Sequence, residues 1–505
     1  MANFPDTSNF KGLFAPSRIE ADIFDLEVEG TLPHELDGAF YRVATDPQFS
    51  PRLGDDIWFN GDGMAAMFDF RAGRVDFRQR WVHTEKFRLE REAGRALFGA
   101  YRNPLTDDPS VAGRSRGTAN TNIVFHGGKL LALKEDSLPV EMDALTLESK
   151  GEWNFHGALE GETFTAHPKI DTASGEMIAF GYAARGLLTP HIALYTIGRD
   201  GRLTHQRWIE APYYSMIHDF AVTRDYVVFP IVPIVGSWER LERGMPHFGW
   251  DGTRDMYIGV VPRKATGTAV RWFRSKARFA SHVMNAFNVG TKVHIDMPVA
   301  AGNMFPFFPD VSGTPFDPAA AAARVTRLTV DMAPGNDTIE FDQLHAAVGE
   351  FPRIDDRYAT RAYRHGYLCS QDATRPFGLD DPKSATGLMM NTLIHLDHES
   401  RDTRSYWCGT GASFQEPVFV PKSADAPESV GYLLAIVNLL NEHRSALVVL
   451  DAQRLDAGPI ATIHLPLRLR PGLHGNWVPR SQLSSLGARP PGASVASGQP
   501  GEDRQ

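Results

Sequence analysis

The segment Pro212–Pro230, PYYSMIHDFAVTRDYVVFP, contains the pattern that decides the fold. His218 begins a short stretch of alternating residues, Thr223–Asp225 predicts a turn, and the following YVVF predicts an apolar return strand. The same arrangement recurs at two other points of the chain, where it begins at His167 and at His282. Three similar hairpins that each begin with a histidine form an internal repeat, and the repeat carries a side chain that can bind a metal.

The spacing of these histidines predicts how the hairpins are arranged. His218 lies 51 residues after His167, and His282 lies 64 residues after His218. His474, in LRPGLHGNW, lies 192 residues beyond His282, which is three further steps of 64. Four-stranded propeller blades repeat at about 40 to 50 residues or more, and their inner strands converge on one axis. The spacing therefore predicts an all-β fold, a seven-bladed β-propeller with roughly 65 residues per blade, capped on its active-site face by short helices and loops.

Short predicted strands, separated by many of the 45 Gly and 34 Pro residues, fill the rest of the chain. Further hairpins are predicted at 122–135, 194–208, 257–273, 325–340, 388–408 and 431–450. Helical patterns are scarce, and the best candidates are part of 86–101 and the segment 318–324.

The predicted domain organisation is simple. Residues 1–40 are irregular and proline-containing, so we expect an arm packed onto the body. Residues 1–480 are expected to form a single catalytic propeller domain. The last segment, 481–505, is rich in Ser, Gly, Pro and Ala and is predicted to be disordered.

Composition excludes several classes of protein. A net charge of -9 without a long basic run argues against nucleic acid or an anionic membrane surface as a partner. Two cysteines cannot make a disulfide framework in 505 residues. The N-terminus lacks a secretory signal pattern, and the apolar runs are far shorter than the ~20 residues of a membrane span. We therefore expect a cytoplasmic protein without stable membrane insertion.

The shared position of the four histidines predicts a metal site. Any one histidine is far more often structural than metal-binding, so the prediction depends on the repeat. Imidazole ligands suit Fe, Zn, Cu and Ni. Four ligands would complete the coordination shell of Zn, whereas an octahedral iron would keep two coordination positions free. Such rings need acceptors that fix their tautomer. Candidates at predicted strand ends are Glu135, Glu350 and Glu416, each of which is equally compatible with surface exposure.

The chain resembles the carotenoid cleavage oxygenase family over roughly residues 10–480. The motifs that carry the resemblance are GAFYRV, FNGDGM, NTNIVFHGGKLLALKE, FTAHPK, MIHDFAVT, EFPRID, YRHGY, SFQEPVFVP, GYLLAIV, VVLDA and LHGNW. The resemblance implies a seven-bladed propeller with Fe(II) on its axis. It implies that His167, His218, His282 and His474 ligate the iron, and that Glu135, Glu350 and Glu416 hold three of these imidazoles.

Within that family the chain resembles the bacterial lignostilbene-cleaving subgroup, which places Phe59, Tyr101 and Lys134 in the substrate pocket. An ammonium and a hydroxyl donor would favour the phenolate of a para-phenol, whose ordinary pKa is near 10. Phe59 would offer an aromatic face to the substrate. Without the resemblance, a core Phe, a hydrogen-bonded Tyr and a strand-end Lys are the simpler interpretations. Phe305 and Phe307, in MFPFFP, either wall the pocket or pack a blade edge.

The resulting functional prediction is an Fe(II) dioxygenase that cleaves the α,β double bond of 4-hydroxystilbenes with O2 and produces two aromatic aldehydes such as vanillin. Tyr101 and Lys134 are its predicted catalytic residues. Cleavage of carotenoids or apocarotenoids on the same iron is the main alternative; a hydrolytic propeller and a non-enzymatic binding module are others. The resemblance also suggests a homodimer, for which the residues give no interface signal.

Overall fold

The computed structural model describes residues 3–264, 267, 269–379 and 389–484, and their strands form seven antiparallel sheets of four or more strands and one separate two-stranded sheet. Two short N-terminal strands come first, β1 (Ala21–Ile23) and β2 (Val28–Gly30). The first three sheets then follow in chain order. They contain β3 (Gly38–Asp46), β4 (Asp62–Arg71) and β5 (Arg74–Trp81); β6 (Asn122–His126), β7 (Lys129–Leu133), β8 (Val140–Met142) and β9 (Ser149–Glu152); and β10 (Lys169–Ile170), β11 (Met177–Tyr182), β12 (His191–Ile197) and β13 (Leu203–Glu210).

The remaining four sheets complete the ring. The fourth contains β14 (Ala221–Val222), β15 (Tyr226–Ile231), β18 (Met256–Pro262) and β19 (Arg271–Ser275), with β16 (Ile234–Val235) and β17 (Gly249–Trp250) paired separately. The fifth contains β20 (Phe279–Ala280), β21 (Asn285–Val289), β22 (Lys292–Ala300), β23 (Arg324–Asp331) and β24 (Glu340–Val348). The sixth contains β25 (Glu350–Ile354), β26 (His365–Ser370), β27 (Thr392–Asp397) and β28 (Thr403–Trp407). The seventh contains β29 (Ala412–Phe414), β30 (Val418–Pro421), β31 (Gly431–Leu439), β32 (Arg444–Asp451) and β33 (Pro459–His464), and β34 (Gly472–Pro479) ends the series.

The two ends of the chain close the ring. β34 pairs with β3 and becomes the inner strand of the first blade, while β1 pairs with β5 at its outer edge. β2 pairs with β33 at the outer edge of the seventh blade. The predicted seven-bladed β-propeller is confirmed. The predicted hairpins are present as well.

Burial explains why the middle and the outer strands of a blade have different sequence patterns. Blades pack face to face, so a middle strand such as β3 is buried along all nine residues and has no solvent face. An outer strand such as β5 alternates between buried and more exposed residues, which follows the period of two of a strand with one covered face. The apolar runs in the sequence therefore mark middle strands.

Three short α-helices lie among the described residues, besides several single-turn 3-10 helices: α1 (Glu85–Ala93), α2 (Trp238–Glu242) and α3 (Arg480–Ser484). The Phe87 N–H donates to the Thr84 hydroxyl at the start of α1, and Gly94 ends the helix with a φ of 66°. The helix expected within 86–101 is thus present. The helix expected at 318–324 was wrong, because this segment forms turns and passes into β23. The few residues between Pro318 and that strand are too few to repay helix nucleation.

The predicted disordered tail, 481–505, falls almost wholly outside the described residues. The division into one domain of residues 1–480 stays a prediction. Within the described part of the chain, no helix is both long and apolar enough to cross a membrane.

Candidate metal centre

The four repeat histidines meet on the propeller axis. His167, His218 and His282 lie just before the inner strands β10, β14 and β21, and His474 lies in β34. One nitrogen from each ring is within 4.8 Å of the others, although the residues come from four different blades. The Nε2 atom of His218 is 3.2 Å from that of His167 and 3.0 Å from that of His282. The hairpin repeat in the sequence therefore corresponds to a spatial cluster.

Three buried carboxylates hold the opposite nitrogens of three rings. Glu350 Oε2 lies 2.6 Å from His282 Nδ1, Glu416 Oε1 lies 2.9 Å from His474 Nδ1, and Glu135 contacts His218 Nδ1. Each Nδ1–H donates to its carboxylate, so in the neutral ring Nε2 carries a lone pair that points to the centre. The Nε2 atoms of His218 and His282 are 3.0 Å apart, so their lone pairs repel each other unless a cation lies between them.

These distances fit a bound divalent metal. Around an ion with metal–nitrogen bonds of about 2.1 Å, ligands at 90° are about 3.0 Å apart and tetrahedral ligands about 3.4 Å apart. Of the two separations from His218 Nε2, 3.0 Å matches the first arrangement and 3.2 Å lies midway between the two. All four donors are imidazoles, a ligand type that suits Fe, Zn, Cu and Ni. The residues present thus fit a transition-metal site.

The charge state of the cluster favours metal binding. Burial alone raises the pKa of Glu135, but the His218 imidazole and the Arg102 guanidinium outweigh it and lower the pKa to about 2. The pKa values of Glu350 and Glu416 are also lowered, because their histidine partners outweigh burial. Burial and the other three imidazoles hold the pKa of His167 well below its usual range. The supporting carboxylates are therefore ionised, and His167 is neutral, at physiological pH.

Several supporting residues were not predicted from the sequence. The Tyr182 hydroxyl donates to Glu135 Oε2 at 2.9 Å, and Arg353 Nη1 lies 3.4 Å from Glu416 Oε2. Asp219 accepts from the Val283 N–H at 2.7 Å and pairs with Lys169 Nζ at 2.7 Å. The Asp219 contacts tie together the segments that follow His167, His218 and His282. For Asp219 and Lys169, the only signal in the sequence is that each is a charged residue one or two positions after a repeat histidine.

The predicted pocket residues lie beside the histidines. A cavity of about 60 Å³ is lined by Phe59, Tyr101, Lys134 and Phe305, together with His218, His282, His474, Met216 and seven other residues that include Trp58, Phe351 and Leu473. Phe307 does not line this cavity; it contacts Phe59 edge-on at 5.0 Å and lines an adjoining apolar cavity of about 620 Å³. Trp58, Phe305 and Glu350 border both cavities.

Two polar groups face the smaller cavity without a protein partner. Lys134 is 5% exposed, and its Nζ lies 5.2 Å from the centre of the Tyr101 ring. Neither Lys134 Nζ nor the Tyr101 hydroxyl makes a hydrogen bond or an ion pair with any residue that the structure describes. Burial lowers the pKa of Lys134 and raises that of Tyr101. The Lys134 amine and the Tyr101 hydroxyl are therefore two hydrogen-bond donors in a largely apolar space next to the metal site.

Comparison with known proteins agrees with this geometry. A family model described as retinal pigment epithelial membrane protein matches residues 14–479. Lignostilbene-alpha,beta-dioxygenase isozyme III of Sphingomonas paucimobilis is 51% identical over 487 residues, which cover 96% of this chain and 99% of that protein. Isoeugenol monooxygenase of Pseudomonas putida is 45% identical over 466 residues, which cover 92% and 97%. The crystal structure of Pseudomonas brassicacearum lignostilbene dioxygenase superposes with a TM-score of 0.91 at 46% identity, covering 95% of this chain and 100% of that one.

Proposed function

The chain belongs to the family of the retinal pigment epithelial membrane protein and the carotenoid cleavage oxygenases, and from this premise we propose that it is an Fe(II) dioxygenase of 4-hydroxystilbenes. The reaction joins one O2 to the central α,β double bond, breaks that bond, and leaves one oxygen atom on each half. Two aromatic aldehydes, such as vanillin, are the products. No external reductant is needed, because both oxygen atoms are consumed in the cleavage.

His167, His218, His282 and His474 would hold the iron. When bound, ferrous iron supplies the binding and activation of O2. The choice of iron is supported by the four imidazole ligands, by the 3.0 Å separation of His218 Nε2 and His282 Nε2, which matches ligands at 90°, and by the oxygenase relatives. Glu135, Glu350 and Glu416 orient three of the rings through their Nδ1–H groups and offset the charge of the cation.

The unpartnered donors of Lys134 and Tyr101 carry the substrate assignment. A buried ammonium without an ion-pair partner is costly for the free protein, and a phenolate oxygen would supply the missing charge. The ammonium favours ionisation of the phenol, and the Tyr101 hydroxyl donates a second hydrogen bond to the same oxygen. The ionised ring enriches the conjugated double bond in electrons, which makes it more reactive towards O2.

The aromatic residues would hold the rings of the substrate. Phe59 and Phe305 line the smaller cavity and can pack against the phenol ring. Phe307 lines the adjoining cavity, which has room for the second ring of a stilbene. A long uncharged polyene has no group that could pair with Lys134, so cleavage of carotenoids is the less favoured function.

Oxygen uptake and metal content of the purified protein test this proposal. We expect about one iron per chain and consumption of one O2 per 4-hydroxystilbene, with two aldehydes formed. The 4-methoxy analogue cannot ionise and should turn over at least about tenfold more slowly. An apocarotenoid serves as the competing substrate. Rapid turnover of the methoxy compound or of the apocarotenoid would contradict the phenolate role.

The cellular location and the assembly state stay predictions. We expect a cytoplasmic protein without nucleic-acid partners, and the resemblance suggests a homodimer. Sedimentation of the purified protein would decide between monomer and dimer.

A further inference from the structure

A second cavity, more polar than the first, reaches the histidine cluster. It has a volume of about 330 Å³, and its wall includes His167, His282 and His474 but not His218. The apolar substrate cavity instead borders His218, His282 and His474 but not His167. The four rings thus separate an apolar cavity from one whose wall contains both apolar and charged side chains.

The chain direction shows that the polar cavity runs down the propeller axis. Its wall consists largely of residues that follow the cluster histidines and Glu350 in sequence, such as Lys169, Asp219, Asn285 and Arg353. The substrate cavity is bordered by residues that precede them, such as Met216, Ser281 and Leu473. Since the inner strands lead away from the histidines in one direction, the two cavities lie on opposite sides of the cluster. We call the polar one the axial channel.

The axial channel opens to solvent and carries charge. The Asp356 side chain, in its wall, is 66% exposed, and Thr172 in the same wall is also exposed. Deeper in the channel, Lys169 pairs with Asp219, and Arg353 lies between Asp356 and Glu416. Three carboxylates therefore face two cations, which leaves an excess of negative charge.

His167 differs from the other three histidines in its surroundings. Its Nε2 points to the cluster, but its Nδ1 has no carboxylate partner among the described residues. Of the two cavities, His167 borders only the axial channel. The axial channel thus reaches one ligand of the proposed metal site.

We propose that the axial channel is the route by which a hydrated divalent cation reaches and leaves the four histidines. This inference rests on the proposed metal site and adds to it the path of loading. A hydrated cation pays heavily for entering apolar space, and the ammonium of Lys134 repels it from the substrate cavity. The axial channel instead offers carboxylates and a volume of about 330 Å³. Organic substrate and metal therefore approach from opposite faces.

The first experiment reverses the charge at the channel mouth. Release of Fe(II) from the holoenzyme is followed without oxygen by a chromogenic chelator, and uptake of Co(II) by the metal-free protein is followed by absorbance. Asp356→Lys should slow both rates roughly five- to tenfold at low ionic strength, and the effect should shrink in salt. Because a route residue changes the barrier more than the bound state, the dissociation constant should change much less. Glu239→Lys is the matched control, since Glu239 is 69% exposed and lies on α2 outside the channel wall.

The second experiment blocks each face separately. Thr172→Cys and Phe316→Cys, both with Cys408→Ser, place a maleimide at the channel mouth and in the wall of the 620 Å³ apolar cavity respectively. The label at 172 should slow metal exchange and leave the KM for stilbene unchanged. The label at 316 should raise that KM and leave metal exchange unchanged.

The outcomes separate this inference from the proposed function. If metal exchange is the same in wild type, Asp356→Lys and the 172-labelled protein, the route is wrong and the metal site stands. If the wild-type protein takes up neither Fe(II) nor Co(II) in stoichiometric amount, both the site and the route are wrong.

Discussion

Replacing Lys134 by methionine tests the chemistry of the pocket most directly. Methionine has nearly the length of lysine but no charge, so Lys134→Met removes the ammonium and keeps the cavity filled. Lys134 is 5% exposed and has no ion-pair or hydrogen-bond partner among the residues that the structure describes. The substitution should therefore leave the fold and the metal content intact.

The expected loss follows from the surroundings of the ammonium. A hydrogen bond to a charged group contributes about 1.5 to 3 kcal/mol. With a tenfold change in rate per about 1.4 kcal/mol, kcat/KM for a 4-hydroxystilbene should fall by about 10- to 150-fold. We expect a loss in kcat/KM near the upper end of this range. Lys134 is already desolvated in the free protein, so substrate binding does not add a desolvation cost for the ammonium. Tyr101→Phe removes only a neutral donor and should cost about 2- to 12-fold.

The assay is initial oxygen uptake with the 4-hydroxy and 4-methoxy substrates, on protein of equal iron content. The methoxy compound has no proton to lose, so Lys134→Met should barely change its turnover. The preference of the wild type for the phenol should then shrink in the variant by the same factor as kcat/KM. An equal loss for both substrates would refute the reasoning, because it would show that Lys134 acts on the structure of the site and not on the phenol oxygen.

Three other predictions concern the metal site and its support. Glu350→Gln keeps an acceptor for His282 but removes the charge, so metal affinity should fall by about 10- to 100-fold in competition with a chelator. Asp219→Asn loses the ion pair with Lys169 and should lower metal affinity without changing the KM for stilbene. The control is Asp225→Asn, at an exposed carboxylate, which should change neither the metal affinity nor the KM. The metal-free protein should lose stability in acid. Three histidines, of which His247 and His395 are buried and His398 is half-buried, have pKa values lowered mainly by burial: His247 and His398 to about 3, and His395 to about 4. They stay neutral when folded but bind protons when unfolded below pH 6.5, so the free energy of unfolding should fall by roughly 4 kcal/mol between pH 6 and 5. Urea titrations at these pH values measure the slope, and an unchanged midpoint would contradict the assignment.

The propeller was predictable because short strands and the site histidines recur at regular spacing along the sequence. Each blade must bury two faces, so its middle strands are largely apolar, as in β31 and β32, and many of its turns carry Gly, as Gly127 and Gly128 do between β6 and β7. The histidines could be found because they occupy one position of a repeated hairpin. The prediction of a helix at 318–324 was wrong because the alanines favour a helix locally but do not show that β23 begins at Arg324.

The residues around the site were harder to foresee, because their partners are distant in sequence. Nothing near Arg102 predicts that it pairs with Asp136 and contacts Tyr182, 80 residues away. The separation of an apolar cavity from a charged channel also has no local pattern, since each wall is assembled from several blades. Phe307 illustrates the limit: the MFPFFP motif left open whether it walls the pocket, and the structure places it one layer behind Phe59.

The site exists only when the ring of blades is closed. Each of the seven blades contributes one group to the cluster: the first, third, fourth and fifth supply histidines, and the second, sixth and seventh supply the glutamates. The last histidine, His474, lies on β34, which joins the first blade only by pairing with β3 near the other end of the chain. An ion bound by all four imidazoles therefore favours the closed ring over any partly opened state, by the free energy of the lost ligand. Metal binding and closure of the propeller are consequently coupled, so the metal-free protein should open first at the β3–β34 seam.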